Sequence, residues 1–306
     1  MLRWRLLLGT LFIAALVGLF WLDARGAAGL PPGGWLFPLV VLVCVVASGE
    51  MLWMFATRPA DERPLACLVY IGNLAIVGIN AVPLFCPAAE TASPVGRLGW
   101  PMTAFVAAVL IGFVCEMRRY EQPGRTIARL SLAIFALAYV GLLLSCTVQL
   151  RILRGNLAGL TAVASLIAVV KMGDTGAYTV GRLFGRHKMT PRLSPGKTWE
   201  GVAGAILFAA FAGWIVLRLL PGAVGGPSVA FGSIRESFGR WQWIAYGIIV
   251  GIAGLLGDLA ESLIKRDAGR KDSSPWMPGF GGLLDLLDSI LFAAPVAWIC
   301  WASGLV

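Results

Sequence analysis

Residues 242–272 read QWIAYGIIVGIAGLLGDLAESLIKRDAGRKD. The first fifteen positions carry no charge, and the rest are crowded with acids and bases. An uncharged run of this kind, extended by its neighbours, approaches the roughly 20 residues that a helix needs to cross a bilayer. Asp258, Glu261, Ser262 and Lys265 follow at i, i+3, i+4 and i+7, which puts all four on one helix face. An ionised carboxylate at the end of a membrane helix is costly unless it is paired, hydrated or bound to a cation. The stretch therefore predicts a membrane helix whose inner end carries a polar stripe.

The remainder of the 306-residue chain agrees. Hydrophobic residues make up 58% and charged residues 13%, against about 25% charged in a soluble domain. Continuous apolar runs of about twenty residues, rather than the alternating ten-residue segments of an outer-membrane barrel, predict an all-α polytopic transmembrane helical bundle. About nine spans are expected, near 5–22, 35–56, 65–86, 98–117, 128–149, 157–173, 200–220, 242–263 and 284–304. Arg3 and Arg5 before the first run suggest a signal peptide, but the run is long for one, so a retained anchor is the reading adopted. No internal repeat or separate soluble domain is visible. The expectation is a single integral membrane domain over 1–306, with N-terminal helices in 1–156 and the catalytic helices and loops in 157–306.

Lys and Arg bias sets the orientation. With the N-terminus cytoplasmic, inside segments carry eighteen Lys and Arg and outside segments carry seven. Loops 174–199 and 265–282 then face the cytoplasm. The excess of 25 basic over 16 acidic residues reads as loop charge and contact with anionic lipid, not as a nucleic-acid surface. Cys44, Cys67, Cys86, Cys115, Cys146 and Cys300 lie in or beside apolar runs with no ligand spacing, and the one histidine, His187, argues against a His-based metal site.

Two constellations carry chemistry. The stripe from Asp258 leads into the basic, Gly- and Pro-broken loop KRDAGRKDSSPWMPGFGG (265–282), and LLDLLDSILFAAP then re-enters the membrane with Asp285 and Asp288 on its first turns. Clustered carboxylates without His or Cys suit a hard cation such as Mg²⁺. Clustered Lys and Arg suit phosphate oxygens. Together they read as a phosphoryl or nucleotidyl transfer site. The plainer reading is a salt-bridged helix end, and Glu261 is expected to pair with Lys265. The second constellation, residues 171–201, contains Asp174 at the end of the sixth span and then SPGKT. A phosphate-binding loop would need Gly where Pro191 stands. Ser194, Lys197 and Thr198 are nonetheless expected at a helix N-terminus, a fair anion site. Glu50 and Glu116 are read as structural, with Asn73 or Asn80 as the expected partner of Glu50.

The segment SLIKRDAGRKDSSPWMPGFGGLLDLLD, from Ser262 to Asp288, resembles the signature of the phosphatidate cytidylyltransferases, also called CDP-diacylglycerol synthases. Residues 174–201, DTGAY through FGRHK to SPGKTWEG, are similar to that family's second characteristic region. The resemblance implies transfer of a cytidylyl group from CTP to phosphatidic acid, with release of pyrophosphate and a requirement for Mg²⁺. It implies catalytic roles for Asp258, Asp285, Lys265 and Arg266, with Asp258 and Asp285 as metal ligands, to which the clustering of acids adds Asp288. Ser262, Lys271, Asp272, Asp174, Arg186, Lys188, Ser194, Lys197 and Thr198 are the expected substrate-binding residues. CTP, phosphatidic acid and anionic lipid are the expected partners, a homodimer is left open, and the setting is a bacterial inner membrane with the site facing the cytoplasm. The chain departs from the family pattern at Phe280, where His is usual, and at Leu286, where Arg is usual. Two other readings stand beside it: a CTP-dependent polyprenol-type lipid kinase, which would release CDP, and a non-catalytic relative. An ion-coupled transporter would show repeats and midplane acids, which are not seen.

Overall fold

The structure, a computed structural model, describes residues 2–86, 96–153, 155–225, 240–275 and 281–306. Phe280 and most of the connector 221–240 lie outside the described residues. The helices are α1 (Leu2–Ala24), α2 (Phe37–Phe55), α3 (Ala66–Gly78), α4 (Ala81–Phe85) and α5 (Gly96–Arg118). Next, α6 (Thr126–Ala136) runs through a π-helical turn, Leu137–Leu142, into α7 (Leu143–Ile152). The chain closes with α8 (Asn156–Phe184), strands β1 (Lys188–Thr190) and β2 (Ser194–Thr198), α9 (Trp199–Gly225), α10 (Arg240–Asp267) and α11 (Leu284–Ala302).

Among the described residues, eight helical stretches are long and apolar enough to cross a membrane. They coincide with the second to ninth expected spans. In α1 the apolar stretch, Gly9–Ala24, is shorter. The protein is thus an integral membrane protein of helical build.

Two boundaries differ from expectation. The sixth span does not end at Asp174. Helix α8 continues for ten residues beyond it because Gly176 and Gly181 sustain close contact with α9, and it ends at Phe184 where Gly185 turns extended. The expected long loop shrinks to an antiparallel hairpin, Lys188 opposite Thr198 and Thr190 opposite Ser194, so the bundle is not purely α. Ser194 and Lys197 are therefore strand residues rather than helix N-terminal ones. Thr198 does stand at the start of α9. It is buried, and its Oγ1 accepts a hydrogen bond from the amide of Gly201 at 3.1 Å, the geometry of an N-cap. Likewise α10 carries Lys265 and Arg266 in its last turn instead of in a loop.

The chain forms two compact units: Met1–Gln149 with Asp267–Leu286, and Leu150–Arg266 with Leu287–Val306. In the first, Ile76, Ala104, Ala108 and Leu137 make an apolar core between α3, α5 and the π turn. Gly72 lets Leu137 approach, and Gly141 lies against Asn73, whose amide donates to Ser48 Oγ at 2.9 Å. Asn80 donates to Ser145 Oγ at 3.1 Å and accepts from Gln149 at 2.6 Å, so buried amides link α3 and α4 to α7. Such pairing is what lets polar groups persist on membrane helices.

In the second unit small residues set helix spacing. A Cβ on Gly176 would lie 2.5 Å from the Gly204 carbonyl, and one on Gly204 would lie 2.5 Å from Val180 Cβ. Helices α8 and α9 are thus in backbone contact, as small-residue membrane interfaces permit. Ser165 on α8 and Tyr246 on α10 share a buried hydroxyl hydrogen bond of 2.8 Å. Gly176→Val is expected to destabilise the fold by about 1–3 kcal/mol through overpacking. Gly78→Ala, whose Cβ would meet nothing within 4 Å, is expected to leave stability nearly unchanged. Thermal unfolding of both variants in detergent checks this.

Candidate active site

In the second unit, four packed segments bring acids and lysines together. Lys171 and Asp174 stand one turn apart on α8, with Nζ 3.1 Å from Oδ2. Lys197 on β2 reaches Asp258 on α10, Nζ to Oδ2 2.9 Å, and the lysine side chain is only 19% exposed. Asp288 on α11 is 6% exposed and lies within electrostatic reach of Asp258, Asp174 and Lys171. Asp174 in turn feels Asp258 and Lys197. Glycines make this approach physically possible. A Cβ on Gly257 would lie 2.7 Å from the Asp288 carbonyl, and one on Gly254 would lie 3.2 Å from Val170. A cleft opens here, lined by Asp174, Lys197, Thr198 and Asp258 with Val170, Val202 and Leu255.

Three carboxylates alternate with two ammonium groups in this cluster. That arrangement holds like charges close at tolerable cost, and it offers oxygen donors to a cation and ammonium donors to a phosphate. Among the described residues, no three His, Cys, Asp or Glu side chains converge into a ready-made metal cage.

The remaining expected residues of this unit sit around the hairpin and the end of α10. Arg186 and Lys188 are exposed, and Ser194 is half-buried. Glu200 anchors the turn before β1: it accepts from the amides of Arg186 and His187 and meets His187 Nδ1 at 2.6 Å. Ser262 is half-buried. Lys265 Nζ donates to the fully buried Glu261 at 2.6 Å, the i, i+4 pair expected from sequence. Arg266 Nε donates to the Leu193 carbonyl at 3.3 Å, which ties α10 to the hairpin.

Asp285, Lys271 and Asp272 belong to the first unit. Lys271 and Asp272 are exposed. Asp285 Oδ2 accepts from the Ser273 amide at 2.9 Å, the Ser273 hydroxyl at 2.8 Å and the Gly282 amide at 2.8 Å. Glu50 does not pair with Asn73 or Asn80. It accepts from the amides of Leu283 at 2.8 Å and Leu284 at 2.7 Å, and from the Ser273 hydroxyl at 3.2 Å. The Arg270 guanidinium lies 3.2 Å from the centroid of the Trp53 ring, a cation–π contact that fastens the same loop. Glu116 is held by Arg129 at 2.6 Å and Arg119 at 3.2 Å, a structural ion pair.

Sequence reasoning counted Lys171 only as loop charge, although its i, i+3 spacing from Asp174 signals the pair. It passed over Glu200 and missed the loop partners of Glu50, for which no local spacing exists.

The model of the cytidylyltransferase family matches residues 4–303. A phosphatidate cytidylyltransferase of Mycobacterium leprae (strain TN) is 36% identical over 301 residues, which covers 90% of this chain and 86% of that protein. Proteins of the same name from Mycobacterium bovis and Haemophilus influenzae are each 36% identical over shorter stretches. These are 177 residues (58% of this chain, 52% of the relative) and 137 residues (45% and 44%), about half the length of those two relatives. The chain belongs to the cytidylyltransferase family.

Because Glu200 fastens the amides of Arg186 and His187, Glu200→Ala is expected to loosen the hairpin. Trypsin cleavage after Arg186 and Lys188 in the folded, detergent-purified protein should accelerate by about tenfold, because the hairpin opens more often. Peptide mapping over a digestion time course measures it.

Proposed function

We propose that this member of the cytidylyltransferase family is a phosphatidate cytidylyltransferase: it transfers the cytidylyl group of CTP to phosphatidic acid, forming CDP-diacylglycerol and pyrophosphate. The observation that supports this most directly is the cluster of Asp174, Asp258 and Asp288 with Lys171 and Lys197, of which Asp174, Lys197 and Asp258 line a cleft between membrane helices. Such a site can hold polyphosphate beside a lipid that never leaves the bilayer.

The nucleophile is a phosphate oxygen of phosphatidic acid. It bonds to the α-phosphorus of CTP while the bond from that phosphorus to the bridging oxygen of the β-phosphate breaks, and pyrophosphate carries away the electron pair. The attacking oxygen is already anionic, so no strong general base is needed. The barrier lies in like-charge repulsion and alignment. Lys197 and Lys265, with Arg186, Lys188, Arg266 and Lys271, supply cations that hold phosphates in line. Ser262, Ser194, Thr198, Asp174 and Asp272 complete the polar lining.

The donor set fits a hard divalent ion, since it is carboxylate oxygen throughout. Asp258 and Asp288 are the side chains of the second unit that would hold Mg²⁺, and the family resemblance adds Asp285 to them. When bound, the ion neutralises triphosphate charge and stabilises the leaving pyrophosphate. Lys197 already offers Asp258 a positive partner. In this reading α1 is the first of nine spans, the N-terminus is cytoplasmic, and the cleft opens to the cytoplasm of a bacterial inner membrane, where CTP is found.

The purified protein, given CTP, phosphatidic acid and Mg²⁺, is expected to form CDP-diacylglycerol and pyrophosphate in equal amounts. Asp258→Asn should lower kcat by about 100-fold, and Lys197→Met should raise KM for CTP more than it lowers kcat. Release of CDP instead of pyrophosphate, or full activity in Asp258→Asn, would overturn the reading.

A further inference from the structure

The loop from Asp267 to Leu283 carries Lys271 and Asp272 and delivers Asp285 onto the first turn of α11. Its fastening involves a side chain that the proposed reaction leaves unused. Glu50 lies in the interior of α2, is 4% exposed, and sits 223 residues from Ser273 in sequence. One carboxylate oxygen takes the Leu283 amide; the other takes the Leu284 amide and the Ser273 hydroxyl. Amide donors at the start of a helix have no partner within it and carry its positive dipole end, so a carboxylate is the best acceptor for them. The same Ser273 hydroxyl lies 2.8 Å from Asp285 Oδ2. Its single proton is shared between the two acids, closer to Asp285, and in this way Ser273 bridges Glu50 and Asp285.

The two glycines before α11 fit this arrangement. A Cβ on Gly282 would lie 2.6 Å from both carboxylate oxygens of Glu50 and would collide with Ser273 Oγ. Gly281 has φ +85°, and a Cβ there would collide with the Asp285 carboxylate. The Gly-Gly pair is the space through which both acids reach the loop.

We infer that Glu50 is a positioning residue for cytidylyl transfer, fixing Asp285 through Ser273 and the first amides of α11. This rests on the proposed function, in which Asp285 belongs to the reaction machinery. Glu50→Gln keeps size but turns an NH2 donor toward donors. Loss of a supporting partner of this kind typically costs about 10- to 100-fold in activity.

The test compares Glu50→Gln, Glu50→Asp, Ser273→Ala, the double variant Glu50→Gln/Ser273→Ala and Asn73→Ala. Asn73 is fully buried too, but it bonds Ser48 rather than the loop. Expected are a fall in kcat of about 10- to 100-fold in Glu50→Gln with KM for CTP changed less than about threefold, and partial rescue in Glu50→Asp. The double variant should be no worse than Glu50→Gln by more than about twofold, since both act on one network. Asn73→Ala should keep kcat within about twofold of wild type. Amide exchange at Ser273, Gly282, Leu283 and Leu284 should rise in Glu50→Gln while exchange in α3 stays as in wild type.

Full kcat in Glu50→Gln, an equal loss in Asn73→Ala, or unchanged exchange in the loop overturns the inference. If Glu50→Gln does not fold, Ser273→Ala decides: its full activity overturns the inference, and a kcat loss without a KM shift supports it. If the wild-type protein makes no CDP-diacylglycerol, the proposed reaction fails, and the exchange data still decide whether Glu50 holds the loop.

Discussion

An acid on a helix that crosses a bilayer has to be met by a donor or a cation, because the hydrocarbon supplies neither. Most of the acids described above meet this constraint with a partner close in space. Glu261 takes Lys265 one turn along its own helix, and Glu116 takes Arg129 from the next helix. Asp174 and Asp258 are matched by Lys171 and Lys197. Glu50 is matched by two backbone amides and a hydroxyl. These solutions differ in what they leave available. An Arg–Glu pair satisfied on both sides is inert, whereas a half-exposed Asp beside a lysine can exchange that partner for a substrate phosphate or a metal.

Backbone proximity is the second requirement, and glycine supplies it. Gly176 with Gly204, and Gly257 with Asp288, bring helix axes closer than any larger side chain allows. Without that closeness the carboxylates of the second unit would stand too far apart to influence one another. The glycines that look like mere membrane-helix composition in the sequence therefore set the electrostatics of the cleft.

Much of this was legible in the residues alone. Apolar run length located eight membrane-length stretches, because the hydrophobic requirement of a bilayer is written continuously along the chain. The i, i+4 pair of Glu261 and Lys265 was legible for the same reason: helical spacing is local. What the spacing hid was non-local or a question of where helices end. Helix α8 runs past Asp174 because its continuation depends on contact with α9 rather than on its own polarity. Glycine and basic residues after Asp174 read as loop for that reason. Glu50 was recognised as needing a partner, but amides contributed by a loop more than two hundred residues later leave no mark in a local pattern. Lys171 was visible as charge, and its role emerged only once α10 and β2 gave the cluster its other members.

The long sequence separation of Glu50 from its partners bears on biogenesis. Helix α2 leaves the ribosome and enters the lipid well before Ser273, 223 residues beyond Glu50, and the start of α11 are made. Through that interval the Glu50 carboxyl group has to be tolerated in a nascent, half-assembled protein, shielded by water, by a proton or by the insertion machinery. The first unit is therefore completed only when residues 267–286 arrive to close it. Quality control acting on truncated chains would have an exposed intramembrane acid to recognise.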